Sequence, residues 1–360
     1  MTGARSAVIT GRGALSALGP DVASFAAAVR ARRAATLSPA FGSTAPDAPL
    51  CYTLPAGLLP DGKRDEPQSA MAILAVAQAL AEAGIEAGQE PLDDVGLIMS
   101  NVLGPSGAVE SYIEALAAKG PRPMKPVHFV DTLLSMPASR VGIALKLRGS
   151  TAVMGGSSPF ELALSWLRHG REHTVVAGAG EHLSPKCIRF HRELARRSGR
   201  ERLAMGQGAA FLVLQTPEEA TSRGVATYGE ILGAGAASEP QDVAVPWSVD
   251  AAGRAFELSM LAALADAGLA PAAITVIGMA AGDPAAEEGE MAGVQRVFGA
   301  RTAKLELSRP KRLFGEALGA SAGLGLLATL VELEGSHSIA IVNSFEQGGA
   351  VTSLLVRAAP

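Results

Sequence analysis

The sequence predicts an α/β protein of stacked layers built by duplication. Strand-like and helix-like runs alternate along the chain, the pattern of α/β layers. Each half places a strand, a tight glycine-containing turn and a small-residue helix before a final pair of strands. Hydrophobic residues make up 48% of the chain but aromatic residues only 4%, so the core must be Ala, Leu, Val and Ile. Small side chains let helices and strands approach closely, as buried central helices require. A length of 360 residues suits two fused halves, and the expected division is 1–222 and 223–360.

A strand over 6–10 opens the chain and meets Gly11 and Gly13. A helix over 21–33 follows Pro20. The Pro- and Gly-rich stretch 37–64 reads as an irregular surface excursion. Helical patterning returns at 70–83, a buried strand is expected at 95–100, and a helix at 108–119. After prolines 121–126 comes a mixed apolar stretch, 127–147. A strand over 150–154 is broken by Gly155 and Gly156. Then Ser158, Pro159 and Glu161 form a helix start: an N-cap serine, a first-position proline and a glutamate spaced for a capping box. That helix runs to about residue 169, and strands follow at 173–177 and 210–215. The second half predicts a strand at 226–232, a helix at 253–267 and a strand at 274–279. A helix near 287–298, a strand at 303–307, a small-residue helix at 318–334 and strands at 338–343 and 351–356 complete it.

Several function classes are excluded on composition. The net charge is −4, and the arginine runs at 30–33 and 196–202 are local, so no basic stripe marks nucleic-acid binding. Cys51 and Cys187 make no disulfide framework and show no metal-ligand spacing. With no signal peptide at 1–12 and no run of 18 apolar residues, the chain reads as cytoplasmic. The Gly155–Gly156 pair lacks the spacing and lysine of a P-loop, and Gly11–Gly13 lacks a third glycine at dinucleotide spacing. No metal and no cofactor is expected.

Four segments carry a resemblance. They are Val8-Ile9-Thr10-Gly11-Arg12-Gly13-Ala14-Leu15-Ser16-Ala17-Leu18-Gly19, Val175-Val176-Ala177-Gly178-Ala179-Gly180-Glu181, Gly206-Gln207-Gly208-Ala209-Ala210-Phe211-Leu212-Val213-Leu214 and Asn343-Ser344-Phe345-Glu346-Gln347-Gly348-Gly349. In this order they resemble the first strand and loop, the strand after the nucleophile helix, the strand closing the first half, and the C-terminal glycine-rich loop of the β-ketoacyl-acyl-carrier-protein synthases. The resemblance implies the duplicated αβαβα thiolase-like fold. In that family a cysteine at the N-terminus of a buried helix accepts the acyl chain, its thiolate favoured by the helix dipole. Two histidines on separate second-half loops support decarboxylation of the malonyl unit and stabilise the thioester oxyanion.

None of the three groups is present. An ungapped comparison anchored on Gly170 puts Val153 at the cysteine position; anchoring on the strand start puts Gly156, Ser157 or Ser158 there, and the helix-start signals favour the second. Ala281 stands at the first histidine position and Glu316 at the second, with Lys311 where the family carries a lysine. Glu346 and Gln347 replace a glycine and the gating phenylalanine after Phe345. The six histidines (His128, His169, His173, His182, His191 and His337) lie outside the expected loops and read mostly as surface residues. Ser157 and Ser158 read as a turn serine and an N-cap, Glu316 as a salt-bridge partner for Lys311 or Arg312, and Glu287, Glu288 and Glu290 as a solvated helix start.

A ketosynthase scaffold without its nucleophile resembles the chain-length-factor subunits of type II systems. The resemblance implies a heterodimer with a catalytically complete ketosynthase, service by an acyl carrier protein, and a polyketide, polyene-type or fatty-acid product. Residues 124–144 and the helix 108–119 would line the subunit interface, with Tyr112, Phe129, Leu133, Leu134 and Met136 limiting chain length and Lys311 and Phe345 in the pocket. Two other readings stay open: an acyltransferase or hydrolase using Ser157 or Ser158 with Glu316, and a non-enzymatic acyl-binding homodimer. A fold alone does not choose among them.

Overall fold

A computed structural model describes residues 6–40, 48–59, 66–156, 158–199, 202–241, 247–346 and 348–359. The first half holds β1 (Ala7–Ser16), α1 (Val22–Arg30), the two-stranded ribbon of β2 (Ser38–Pro39) and β3 (Leu50–Cys51), α2 (Pro67–Glu82) and β4 (Val95–Asn101). It continues with α3 (Ser106–Lys119), α4 (Pro126–Val130), α5 (Met136–Leu145), β5 (Thr151–Gly155), α6 (Pro159–Arg168), β6 (Thr174–Glu181), α7 (Pro185–Ser198), β7 (Gly208–Gln215) and α8 (Pro217–Arg223). The second half holds β8 (Gly229–Ser238), α9 (Val249–Ala267), β9 (Ile274–Gly278), α10 (Pro284–Phe298) and β10 (Glu306–Ser308). It closes with α11 (Lys311–Phe314), α12 (Ala320–Leu333), β11 (Ile339–Phe345) and β12 (Ala350–Ala358).

The strands form one ten-stranded mixed sheet that is two copies of one pattern. In the first half the spatial order is β1-β7-β6-β4-β5; in the second it is β8-β12-β11-β9-β10. Counted in chain order, each half reads first, fifth, fourth, second, third. The pairings also repeat: two antiparallel contacts and then two parallel ones. The halves join where β1 runs antiparallel to β8 over Ala7, Val8 and Ile9.

Five layers follow from where the apolar faces go. The central core packs Phe160, Leu164 and Leu167 of α6 and Leu324, Leu327 and Leu330 of α12 between both sheet halves. One outer layer sets α2 and α5 on the first half, with Met71, Val76, Leu80 and Val141 buried. The other sets α9 and α10 on the second half, with Phe256, Met260, Val294 and Phe298 buried. Strands buried on both faces read as continuous apolar runs, as 175–177 and 211–214 do.

Three local expectations are corrected. The first strand does not stop at Thr10 but runs through Gly11 and Gly13 to Ser16. Its glycines are there because α2 crosses closely: a Cβ on Gly11 would lie 2.0 Å from the Ala79 carbonyl oxygen, and one on Gly13 1.8 Å from that of Ala75. Glycine in a strand marks such an approach as well as a turn. Helix α7 was not anticipated, although Ser184 caps it by accepting from the Cys187 N–H at 3.1 Å and Pro185 takes its first position. Ser158 does precede α6, but its side chain makes no capping hydrogen bond.

Candidate functional site

The site forms where β5 turns into α6, beneath loops from the second half. Gly156 sits at φ +81°, a left-handed conformation suited to glycine, and its N–H donates to the Asn101 carbonyl at 2.8 Å. Val153 is not at this bend: it lies inside β5, paired with Met99 of β4, so the ungapped comparison is wrong by the length of the strand end. Ser157 lies outside the described residues. Ser158 is buried, and its Oγ has no hydrogen-bond partner.

The first second-half loop follows β9. Ala281 is buried, and its methyl can neither carry a proton nor donate a hydrogen bond. The Ala280 and Ala281 N–H groups donate to the two carboxylate oxygens of Glu290 at 2.9 and 2.8 Å, and Asn343 Nδ2 donates to the same carboxylate at 2.9 Å. Ser353 and Ser259 extend the chain of hydrogen bonds to the Gly235 carbonyl. Glu290 is therefore a fully buried strut, which corrects its reading as part of a solvated helix start. Glu287, one turn earlier on the same helix face, accepts from Arg309 and Arg312, each at 2.7 Å; only Glu288 is exposed.

The second loop joins α11 to α12. Lys311 Nζ donates to Glu316 Oε2 at 2.7 Å, with the two side chains 6% and 18% exposed. Glu316 Oε1 accepts from the Leu318 N–H and the Ser321 hydroxyl, both at 2.9 Å. Both oxygens of the carboxylate are thus occupied. Leu318 holds φ +49°, a strained conformation for a branched residue that surrounding contacts must maintain. Lys311 Nζ also lies 5.3 Å from the Phe345 ring centre, and Phe345 stacks on Trp247 at 6.2 Å.

The third element is Glu346, at the end of β11. A Cβ placed on Gly156 would lie 2.5 Å from Glu346 Oε2, so this carboxyl fills the space in front of the bend. Burial pushes its pKa up to about 8, which keeps it largely protonated at neutral pH. Gln347 lies outside the described residues. Leu318, Phe345 and Glu346 line both an outer cavity of about 100 Å³ and an inner one of about 20 Å³ beside Ser158, Lys311 and Asn343. The inner cavity has room for a single water-sized group. An acyl thioester does not fit it as it stands.

His191 on α7 lines the outer cavity together with Asp283 and Glu316. Its Nε2 is buried without a partner, and burial, first among the causes, lowers its pKa. His182 is likewise pushed down to about 4 by burial. These two correct the placement of the histidines at the surface; a capped α7 was the missed signal for His191. Neither cysteine lines either cavity. Burial raises the Cys51 thiol, and chiefly burial pushes the Cys187 thiol up to about 12, so both are poor nucleophiles. Another buried carboxyl, Glu181 at the end of β6, accepts the Val102 N–H and is pushed up to about 8, burial being the main cause.

The residues expected at a subunit interface gather on one face but do not line either cavity. Tyr112 of α3 packs on Phe129 of α4 with ring centres 6.0 Å apart. Phe129, Leu133 and Leu134 are exposed at 52%, 39% and 39%. The Leu134 carbonyl accepts from Asn101 Nδ2 at 3.2 Å, which sets this face beside the bend. Met136 opens α5, half-buried.

Similarity to known proteins agrees with this geometry. Residues 61–220 match the family model "Beta-ketoacyl synthase, N-terminal domain" and residues 228–344 match "Beta-ketoacyl synthase, C-terminal domain". The chain is 28% identical to 3-oxoacyl-[acyl-carrier-protein] synthase 2 of Vibrio cholerae over 284 residues, 72% of this chain and 68% of that one. It is 28% identical to Nodulation protein E of a Rhizobium species over 357 residues, 92% of this chain and 86% of that one. Among solved structures, the ishigamide ketosynthase/chain length factor superposes with a TM-score of 0.85 at 20% identity, covering 99% of this chain and 100% of that one. A β-ketoacyl synthase from Burkholderia phymatum superposes at 0.83 with 23% identity and the same coverage. The layered architecture is therefore the thiolase-like fold.

Proposed function

The chain belongs to the β-ketoacyl synthase family, and from that premise we propose that it is a non-catalytic, chain-length-factor-type subunit. It pairs with an active β-ketoacyl-acyl-carrier-protein synthase and shapes the acyl tunnel of that partner, in polyketide, polyene or fatty-acid assembly. One observation carries the reading: the three places where condensation chemistry is sought hold groups tied into the structure. Ala281 offers a methyl, Glu316 is bound on both oxygens, and Glu346 fills the space before Gly156.

The exposed apolar face supports a partner subunit. Phe129, Val130, Leu133, Leu134 and Ile113 are all open to solvent, and Tyr112 of α3 packs on Phe129 of α4; exposed apolar side chains on neighbouring elements support an interface there. Beside it, β5 is the edge strand of the first half, with backbone groups free to pair. One of the superposed structures combines a ketosynthase with a chain length factor, and another holds a type II acyl-carrier protein with its ketosynthase. The partners proposed are thus a complete ketosynthase and an acyl carrier protein. Bulky Tyr112, Phe129, Leu133, Leu134 and Met136 then cap the tunnel from this side. The repeated strand order supports halves meeting near residues 222 and 223. Among the described residues no helix is long and apolar enough to cross a membrane; a cytoplasmic place is part of the proposal.

A serine hydrolase or acyltransferase is less well supported. Ser158 Oγ has no hydrogen-bonded base, and an unassisted hydroxyl is a weak nucleophile. Co-expression with candidate ketosynthases tests the subunit reading. The expected result is a stable complex whose product lengthens when Phe129 and Leu133 are replaced by alanine. Only homodimers, with every ketosynthase recovered alone and its product unchanged, would refute it.

A further inference from the structure

Leu318, Phe345 and Glu346 line both the inner and the outer cavity, and two of the three are held. Phe345 stacks on Trp247 and meets Phe256 edge-on, with ring centres 6.2 and 6.4 Å apart. The Leu318 N–H is bound to Glu316. The Glu346 carboxyl differs: burial alone raises its pKa, and among the described residues no hydrogen bond and no neighbouring charge contributes. Its backbone, by contrast, is pinned. The Glu346 N–H donates to the Ala350 carbonyl at 2.9 Å, and the Gly349 N–H donates back to the Glu346 carbonyl at 3.0 Å. The Glu239 and Gln241 N–H groups donate to the carbonyls of Gly349 and Gly348 at 3.1 and 3.3 Å. A Cβ on Gly349 would lie 1.7 Å from the Glu239 carbonyl oxygen, so the turn is packed as well as bonded. What is left to move is the side chain.

We propose that the Glu346 side chain is a proton-controlled plug: neutral, it fills the space before Gly156 and keeps the two cavities apart; ionised, it swings out to water and joins them into one pocket for an apolar chain. Its Oε2 lies 2.5 Å from where a Cβ on Gly156 would stand, in a space that offers a charge no partner, and an unpaired buried charge is costly. The charged and titratable groups around it are engaged elsewhere or line the outer cavity alone. Lys311 of α11 is bound by Glu316, and Asp283 caps α10 by accepting from the Ala286 N–H at 3.0 Å. Arg202 and His191 of α7 line the outer cavity and not the inner one, and burial lowers the His191 pKa, which favours the neutral ring. The sign follows from the raised pKa of Glu346: the closed state is complete in acid and is lost as pH rises toward about 8. The device lies within one chain, so it stands whether or not the subunit reading above holds.

The test is calorimetric titration of S-octyl-pantetheine, a thioether that neither hydrolyses nor titrates in this range, into the purified full chain at pH 6, 7, 8 and 9. One proton linked to opening allows a change of up to about tenfold per pH unit. The parent is therefore expected to bind at least about tenfold more tightly at pH 8 than at pH 6, and to level off above. Glu346→Gln, neutral at every pH, should bind weakly with no pH dependence. Glu346→Gly should bind tightly with none; Glu346→Ala serves if the glycine variant does not fold. His191→Gln should keep the response of the parent. A parent whose affinity is flat from pH 6 to 8 would overturn the proposal, as would a slope that survives in Glu346→Gln or vanishes in His191→Gln. Failure of the glycine or alanine variant to bind at any pH would overturn it too, because emptying the space before Gly156 would then open no pocket.

Discussion

The pairing of Glu316 with Lys311 predicts a structural role for both that stability measurements can read. At 2.7 Å and an effective dielectric near 20, the Coulomb attraction is about 6 kcal/mol. Removing both charges from water costs several kcal/mol per ion, so the net contribution of the pair is small. Breaking it is different. Lys311→Met leaves a largely buried carboxylate without its cation, a loss of about 3–5 kcal/mol. Glu316 keeps the Leu318 N–H and the Ser321 hydroxyl, so about 3 kcal/mol is expected. Glu316→Leu strands the buried ammonium at a similar cost. The double variant Lys311→Met/Glu316→Leu should recover the ionic part of that loss, because an apolar pair replaces an ionic one, but stay about 1–3 kcal/mol below the parent, because the Leu318 N–H and the Ser321 hydroxyl lose their acceptor. Urea unfolding of the four proteins at pH 7 closes the cycle. Single variants as stable as the parent would refute the reasoning and return Glu316 to the list of groups free to do chemistry.

Other predictions concern the remaining buried groups. Glu181 has its pKa raised from 4.5 to about 8, so the folded chain keeps a proton that the unfolded chain releases. The stability it contributes is complete below about pH 4.5 and is lost as pH rises toward 8, at up to about 1.4 kcal/mol per pH unit. Unfolding of the parent against Glu181→Gln from pH 5 to 8 should show the variant gaining on the parent as pH rises; parallel curves would contradict it. Glu290→Ala should cost about 2–4 kcal/mol by stranding the Ala280 and Ala281 N–H groups, visible as a lower urea midpoint. Glu346→Gly should join the inner and outer cavities, so octanoyl-pantetheine should raise the Tm of that variant but not of the parent. Phe129→Asp with Leu134→Asp should abolish co-purification with a ketosynthase while leaving the isolated chain folded.

Much of the fold was legible because periodicity and turn chemistry are local. The apolar runs at 95–100, 210–215 and 274–279 became β4, β7 and β9, and Pro159 after Ser158 marked the start of α6. The first strand was cut short because a glycine's message is ambiguous in sequence. At Gly11 and Gly13 it meant the backbone of α2 passing within contact, which no local pattern reveals. Glu290 was misread because its spacing from Glu287 and Glu288 is that of an exposed first turn, and only the course of the chain after β9 brings Ala280 and Ala281 to it. The site was legible as a set of absences. What replaced the missing groups was less so: the approach of Glu346 to Gly156 joins residues 190 positions apart in sequence, and the inward turn of His191 depends on a helix that was not anticipated.

The most direct test of the central claim is a condensation assay on the isolated chain, followed by intact mass. The chain is incubated with an acyl-carrier thioester and malonyl-carrier protein, and both the protein and the carriers are weighed. The account predicts no acyl adduct on the chain, no release of carbon dioxide and no β-ketoacyl product. Turnover appearing only when an intact ketosynthase is added would agree with it. A stable acyl adduct, or β-ketoacyl product formed by the chain alone, would contradict it.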